Sequence, residues 1–436
     1  MSDLVEVEVG SKVWHGEERT RLGFPARWSV TTHRPPTPAP LRPRDLREAL
    51  AHPVGQPSIA ELAAGARRPV VVVDDPTRPT PVAEVLPLVL AQLGEAGVSP
   101  EEVCVVVGAG THGPPTADSL QAKLGKEAAS RCRVVVHDDR GPLARVGRTS
   151  FNTPIRVNAQ VAAADLLVGI GGVYPQHTTG FGGGSKLILG VLGRETIARL
   201  HYGHPSGQGS YRVDNDFRAD LDEIAARLGF RTAVSVHVDE RRRIVRAVSG
   251  DHLAYYPEAV RYAIDTFAAP LPGDADVVVS NAYPMDTSLT FMRSKGMTPF
   301  DHAKPGASRL VVAGCAEGVG HHGLFPYRNR APGPAIKHHA RRLRAQPSRA
   351  PAMVRSAMAR AVRAGRGSPA EPGEDPSPPP LLYATAGAPA LPQGVTRLVP
   401  HDDWHAVLDA IDAQQSGRDG LRVALYACAP LQVLLP

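Results

Sequence analysis

The amino-acid sequence predicts an α/β protein: two α/β domains with largely parallel sheets and an active site in the cleft between them. Short β-branched, apolar runs recur along the chain, and stretches of helical period lie between them. The length, 436 residues, is more than one ordinary core accommodates, so two domains are expected.

Strands are expected at Val70–Val73, Val103–Val107, Val134–Val136, Leu166–Gly169, Thr232–Val238, Val277–Ser280, Leu310–Ala313 and Arg422–Tyr426. Several are apolar at consecutive positions, as strands covered on both faces are. Helices are expected at Val82–Leu93, Asp216–Leu228 and Pro257–Phe267. The stretch Ala268–Asp274, with two prolines and a glycine, reads as the main boundary and gives domains 1–270 and 271–436. Within the second, residues 328–380 form an insertion that passes from Arg/Ala-rich to Pro/Ser/Gly-rich, with a short basic helix at Met353–Val362 and a linker-like end.

Charge predicts no nucleic-acid-binding surface outside one basic segment. The net charge is +6, but eleven Lys or Arg and no acid lie between Arg328 and Arg366, leaving 38 basic against 43 acidic residues elsewhere. The basic balance thus describes one insertion rather than a surface built for phosphate backbones. Cys104, Cys132, Cys315 and Cys428 are far apart, so neither a disulfide framework nor a structural zinc site is expected. The acidic start lacks an apolar signal region and no run is long enough to span a bilayer, so a cytoplasmic protein without membrane attachment is expected.

Four polar clusters follow expected strands, and open α/β sheets bind ligands beyond the carboxyl ends of their strands. The first, Asp74-Asp-Pro-Thr-Arg-Pro-Thr-Pro81, holds Arg78 between prolines, where a guanidinium suits a carboxylate or phosphate. As a bare motif it reads equally as an Asp-capped helix start. The second, Gly108-Ala-Gly-Thr-His-Gly-Pro-Pro-Thr116, presents His112 between glycines, with Thr116 as a helix cap. The third runs from Tyr174 through His177 and Gly182-Gly183-Gly184 to Lys186, then to His201 and His204. Its three glycines expose backbone N–H groups that can cradle an anion. It is neither a Walker A loop, which needs glycine directly before the lysine, nor a dinucleotide-binding GxGxxG. The fourth comprises Asn281–Asp286, Lys295-Gly296 and Gly314–Gly323, two strand-exit loops of the second domain.

Taken together, DDPTRPTP, GTHGPPT, GFGGGSK, GRETI with a following His, NAYPMD with KGM, and GCAEGVGHHG resemble the lactate racemase family, in family order and over nearly the whole chain. Members of that family racemise or epimerise 2-hydroxy acids with nickel held in a pincer nucleotide. The cofactor is a pyridinium mononucleotide with two sulfur-bearing groups. The resemblance implies that Lys186 tethers the nucleotide through a thioamide and that His201 completes the nickel coordination. It also implies that Asp75 and the glycines 182–184 contact the cofactor and that Arg78 and Lys295 anchor a small 2-hydroxy acid. His112 and His177 are implied as acid and base, one per enantiomer. Proteins that build and deliver the cofactor are implied as partners.

The chain departs from the family pattern in three places. The interval from Lys186 to His201 is one residue short, before Gly190. The second catalytic histidine, five residues before the Phe of the GF pair in the family pattern, falls on Gln176, with His177 beside it. Phe291 and Met292 stand where a polar Tyr-Gln pair is usual, which implies a more apolar pocket and a substrate other than lactate. Three other readings compete. A nicotinamide-dependent dehydrogenase would require GxGxxG. A divergent member would bind nickel or nucleotide without racemase activity, or act as a one-directional 2-hydroxyacid oxidoreductase. A hydrolytic metal site would require an HExxH-like ligand set.

Overall fold

The computed structural model describes residues 4–204, 211–325, 377–391 and 398–436. Its frame is two six-stranded sheets. In spatial order, the first consists of Ile244–Asp251, Thr232–Val238, Leu166–Gly172, Pro69–Asp74, Cys104–Gly108 and Arg133–Val136. Neighbours pair in parallel except for the Thr232–Val238 and Ile244–Asp251 hairpin. The second is parallel throughout: Val399–His401, Leu381–Ala384, Ser308–Ala313, Val277–Asn281, Arg422–Tyr426 and Ser29–His33.

Every strand expected from the sequence is present, and the continuous apolar runs have the expected cause. In the Pro69–Asp74 strand, Val70 and Val72 face one core, with Ile188, Phe217 and Leu221. Val71 and Val73 face another, against Val85, Leu86 and Val89 of the helix Val82–Glu95. The second sheet repeats this, with Val278 and Val311 on one side and Val277, Val279 and Leu310 on the other. Alternate side chains thus enter different cores, so both faces must be apolar.

The helix expected from Pro257 starts earlier, at His252, where the Asp251 side chain caps it by accepting from Leu253 N–H. Pro257 lies inside it, without a backbone N–H to leave unpaired. The helix Asp216–Arg227 is capped by Asn215, which accepts from Arg218 N–H. The short, half-exposed strand Ser29–His33 is an edge of the second sheet although it comes from the N-terminal end. Sheet membership therefore does not divide the chain at a single point near residue 270. The proposed basic helix Met353–Val362 and most of the 328–380 insertion lie outside the described residues. All four cysteines are buried and free. No helix among the described residues is long and apolar enough to cross a membrane.

Strand order positions the site. In the first sheet the chain places Cys104–Gly108 on one side of Pro69–Asp74 and Leu166–Gly172 on the other. In the second it places Ser308–Ala313 and Arg422–Tyr426 on opposite sides of Val277–Asn281. At such reversals adjacent loops diverge and leave a crevice at the carboxyl ends of the strands.

Candidate active site

A cavity of about 720 Å³ opens at these crevices, lined by loops leaving strands of both sheets. The size suits a small-molecule or cofactor site. Asp75, Arg78, His112, His177, Lys186, His201 and Lys295 all line it.

The Asp74–Pro81 loop is held from several directions. Asp74 accepts from Thr80 Oγ1 at 2.5 Å and lies 2.6 Å from the Lys123 ammonium, which is fully buried and also donates to Arg78 O at 3.0 Å. Trp14 Nε1 donates to Pro76 O at 2.6 Å, and Arg242 donates to Pro79 O at 3.2 Å while stacking over the Trp14 ring. Asp74 therefore braces the loop instead of capping the following helix, whose N-cap is Pro81. Nothing in the local motif pointed to Trp14, Lys123 or Arg242 as its supports; a lysine at a buried helix position was the one available signal.

Asp75 is buried, with one carboxylate oxygen accepting from Thr77 at 2.6 Å and the other 2.5 Å from His112 Nδ1. Burial opposes its charge, but His112, Arg78 and Thr77 outweigh that and hold the carboxyl below the usual carboxylate range. Both oxygens are thus engaged within the protein, so Asp75 orients His112. Burial pushes the His112 pKa down, more than Asp75 raises it, which favours a neutral ring at pH 7. Thr116 caps the next helix as expected, accepting from Ser119 N–H.

The glycine-rich segment packs closely. A Cβ at Gly190 would meet the Gly108 carbonyl at 2.5 Å, so the His112 loop and the Lys186 turn touch backbone to backbone, and Gly110 N–H donates to Gly190 O. The anion cradle expected of glycines 182–184 is not assembled as a set. Gly182 N–H is taken by Tyr174 O, and only Gly183, at φ +77°, lines the cavity. Gly184 packs beside Tyr256 and Arg218. Burial, with Arg78 and Arg218 nearby, lowers the Lys186 pKa to about 7, and its amine has no hydrogen-bond partner among the described residues.

Gln176 and His177 differ in what they can do. Gln176 is buried, and its Oε1 accepts from the N–H and the hydroxyl of Thr178. His177 lines the cavity and is exposed there, yet the surrounding protein still desolvates it. That burial, and after it the basic side chains of Lys295, Lys186 and Arg78, bring its pKa down to about 3. His201, on the helix Arg194–Gly203, stands edge-on to Phe217 and Phe325, and burial holds it neutral with a pKa of about 3. His204 is not part of the site: it is buried and bonded to Asp220 at 2.7 Å.

From the second sheet comes Lys295, 5% exposed, whose Nζ has no partner among the described residues. Burial, then Arg78 and Lys186, lower its pKa well below the usual lysine value. Phe291 lines the cavity with its ring 4.5 Å from that of His112. Met292, by contrast, is fully buried in the core of the second sheet, so only Phe291 of the pair shapes the pocket. Asp286 binds loops together, accepting from the N–H groups of Lys12, Val13 and Gly314. His322 also lines the cavity, its ring 5.0 Å from that of His112. In the sequence it is one of two adjacent histidines at the end of the Gly314–Gly323 stretch, with no spacing that singles it out.

Residues 15–209 match the lactate racemase N-terminal domain family. The matched stretch, similar to that domain, holds Asp75, Arg78, His112, His177, Lys186 and His201, while Lys295, Phe291 and His322 lie beyond it. The lactate racemases of Thermoanaerobacterium thermosaccharolyticum and Lactiplantibacillus plantarum are each 27% identical over about 290 residues, covering 64% of this chain and 67% and 68% of theirs. The apoprotein structure of the former superposes with a TM-score of 0.70 at 19% identity, over 99% of this chain and 100% of that one. A protein of Thermotoga maritima follows at 0.61 and 16%, over 92% and 100%. The fold of the whole described chain is thus lactate racemase-like.

Proposed function

We propose that this lactate racemase-like chain racemises or epimerises a 2-hydroxy acid with a nickel-pincer nucleotide, acting on an acid other than lactate. One observation carries the reading. The Asp75–His112 pair and His177, on different loops, line one cavity with the basic side chains of Arg78, Lys186 and Lys295.

The residues fit the cofactor. Lys295 Nζ is a buried polar atom without a partner among the described residues, as an anion site would leave it. Lys186, with a pKa of about 7, keeps a substantial fraction of neutral amine at pH 7, the form an acyl-type tether requires. His201 is neutral, the form that binds a metal. No group of three or more His, Cys, Asp or Glu able to hold a metal occurs among the described residues. A nickel ion beside His201 would therefore take its other donors from the organic group. Proteins that build and load that group are required partners.

When bound, the cofactor supplies a reversible acceptor for the C2 hydride. The chain does the rest. Arg78 and Lys295 bind the carboxylate and fix C2. His112, its Nδ1–H held by Asp75, accepts the hydroxyl proton at Nε2 for one enantiomer, and His177 serves the other. Loss of proton and hydride leaves a 2-keto acid, and return of both with the opposite configuration inverts C2. Phe291 beside His112 favours an apolar substituent at C3.

The test is intact mass and nickel content after co-expression with cofactor-building proteins, followed by a chiral screen of 2-hydroxy acids. The reading requires an adduct and nickel in the wild type, loss of both adduct and activity in Lys186→Ala, and inversion of at least one acid with an apolar C3 substituent. An unchanged mass shift in Lys186→Ala overturns the tether, and inversion of no acid by fully loaded protein overturns the racemase reading.

A further inference from the structure

His322 lies on the loop after the strand Ser308–Ala313, and that loop is pinned to the His112 loop. Gly323 N–H donates to Thr111 O at 2.7 Å, Gly113 N–H donates to His321 O at 3.3 Å, and Arg194 donates to Gly323 O at 3.0 Å. The ring is thereby fixed at the cavity wall, 5.0 Å from His112 and 5.1 Å from Phe325.

The hydrogen bonds of His322 decide its tautomer. Nδ1 receives the backbone N–H groups of Leu324 at 3.2 Å and Phe325 at 3.3 Å, with Thr111 Oγ1 also at 3.2 Å. A backbone N–H can only donate, so Nδ1 must offer its lone pair and the proton resides on Nε2. Protonating Nδ1 as well would set three N–H groups against one another. Among the described residues, nothing is bonded to Nε2.

His112 is arranged the opposite way. Its Nδ1–H is given to Asp75, so Nε2 carries the lone pair. Two adjacent imidazoles thus line one cavity, one with a free acceptor and the other with a free donor. A hydroxyl group matches that pair, because it gives its proton to an acceptor and takes a hydrogen bond on its oxygen.

Resting on the racemase reading above, we infer that His322 is a further catalytic residue, a fixed Nε2–H donor to the C2 oxygen of the substrate. While the alcohol is bound, that oxygen donates to His112 and accepts from His322. As the proton moves to His112 and hydride leaves C2, the oxygen becomes a carbonyl facing two donors, His112 Nε2–H and His322 Nε2–H. The second donor strengthens as negative charge builds on that oxygen, the arrangement that lowers barriers in oxyanion sites. His322 neither gains nor loses a proton in the step.

Two measurements test this. In the unloaded protein, ¹⁵N-histidine spectra should show His322 as the Nε2–H tautomer throughout pH 6–8; an Nδ1–H tautomer or an imidazolium overturns the inference without reference to turnover. In the loaded protein, His322→Leu should lower kcat at least thirtyfold with KM within threefold, with adduct mass and nickel content unchanged. His322→Gln, which keeps an N–H donor, should retain at least a fifth of wild-type kcat and an unchanged pH profile. A His322→Leu kcat within threefold of wild type, a Gln variant as poor as Leu, or a pH limb lost in the Gln variant overturns the role. Absence of turnover in the loaded wild type instead overturns the racemase reading, and this role with it.

Discussion

Nδ1 of His112 lies 2.5 Å from Oδ2 of Asp75, and that contact decides which nitrogen of the ring meets the cavity. The carboxylate is held ionised and can only accept, so Nδ1 keeps its hydrogen and Nε2 is free to take a proton. Thr77 fixes the other carboxylate oxygen at 2.6 Å, which removes the remaining freedom of the pair.

Asp75→Asn removes the charge that favours this tautomer and supports the imidazolium formed on proton transfer. It should lower kcat by roughly 10²- to 10⁴-fold, the range for loss of an orienting carboxylate behind a catalytic histidine. Adduct mass and nickel content should match wild type. A steady-state chiral assay with paired mass spectra checks both.

The pH dependence follows from the direction of the His112 shift. Its working form is the neutral ring, and burial lowers its pKa below the ordinary 6.5. The acid limb of kcat/KM should therefore have its midpoint below 6.5, with no loss between pH 7 and 8. Stability responds in the same sense through His201, whose folded pKa falls to about 3. Between pH 6.5 and about 3 the unfolded chain binds the proton first, so acid removes stability across that window. Melting curves of the unloaded protein should fall less steeply with acid in His201→Gln than in wild type.

His177→Ala should stop racemisation, because no other imidazole offers a base from the Gly172–Thr178 loop. Gln176→Ala should be milder by at least about tenfold, or ~1.4 kcal/mol in barrier. The Gln176 amide oxygen is occupied by Thr178 and does not accept a hydroxyl proton at neutral pH. Progress curves from each pure enantiomer distinguish the two variants.

Lys295→Met should separate stability from catalysis. The buried amine has no partner among the described residues, so an apolar replacement of similar length should leave Tm unchanged or higher. The same variant should lose at least about a hundredfold in kcat/KM, or ~2.7 kcal/mol. Thermal melts and initial rates on one preparation check the pair.

The parts legible in the sequence are those set by local chemistry. Runs such as Val70–Val73 declare buried strands because both faces meet cores, and the cavity residues Arg78, His112 and Lys186 follow strand ends or a glycine-rich turn. What was not legible depends on contacts distant in sequence. The half-exposed run Ser29–His33 gains its place only by pairing with Arg422–Tyr426, at the far end of the chain. Met292 reads like Phe291, but the helix Leu289–Lys295 turns it into the core. Gly182 looked like an open N–H donor until Tyr174 O took its hydrogen. His322 acquires its role from two amides and from the facing His112 loop, neither of which a motif displays.

The central claim is that the imidazoles move only the hydroxyl proton while the C2 hydrogen travels as hydride and returns. Proton NMR of one enantiomer turned over by loaded protein in D₂O tests it most directly. The account predicts inversion at C2 with the original C2 hydrogen retained in both enantiomers. Wash-in of deuterium at C2 during inversion would contradict it, because His112 or His177 would then be removing the carbon-bound proton instead.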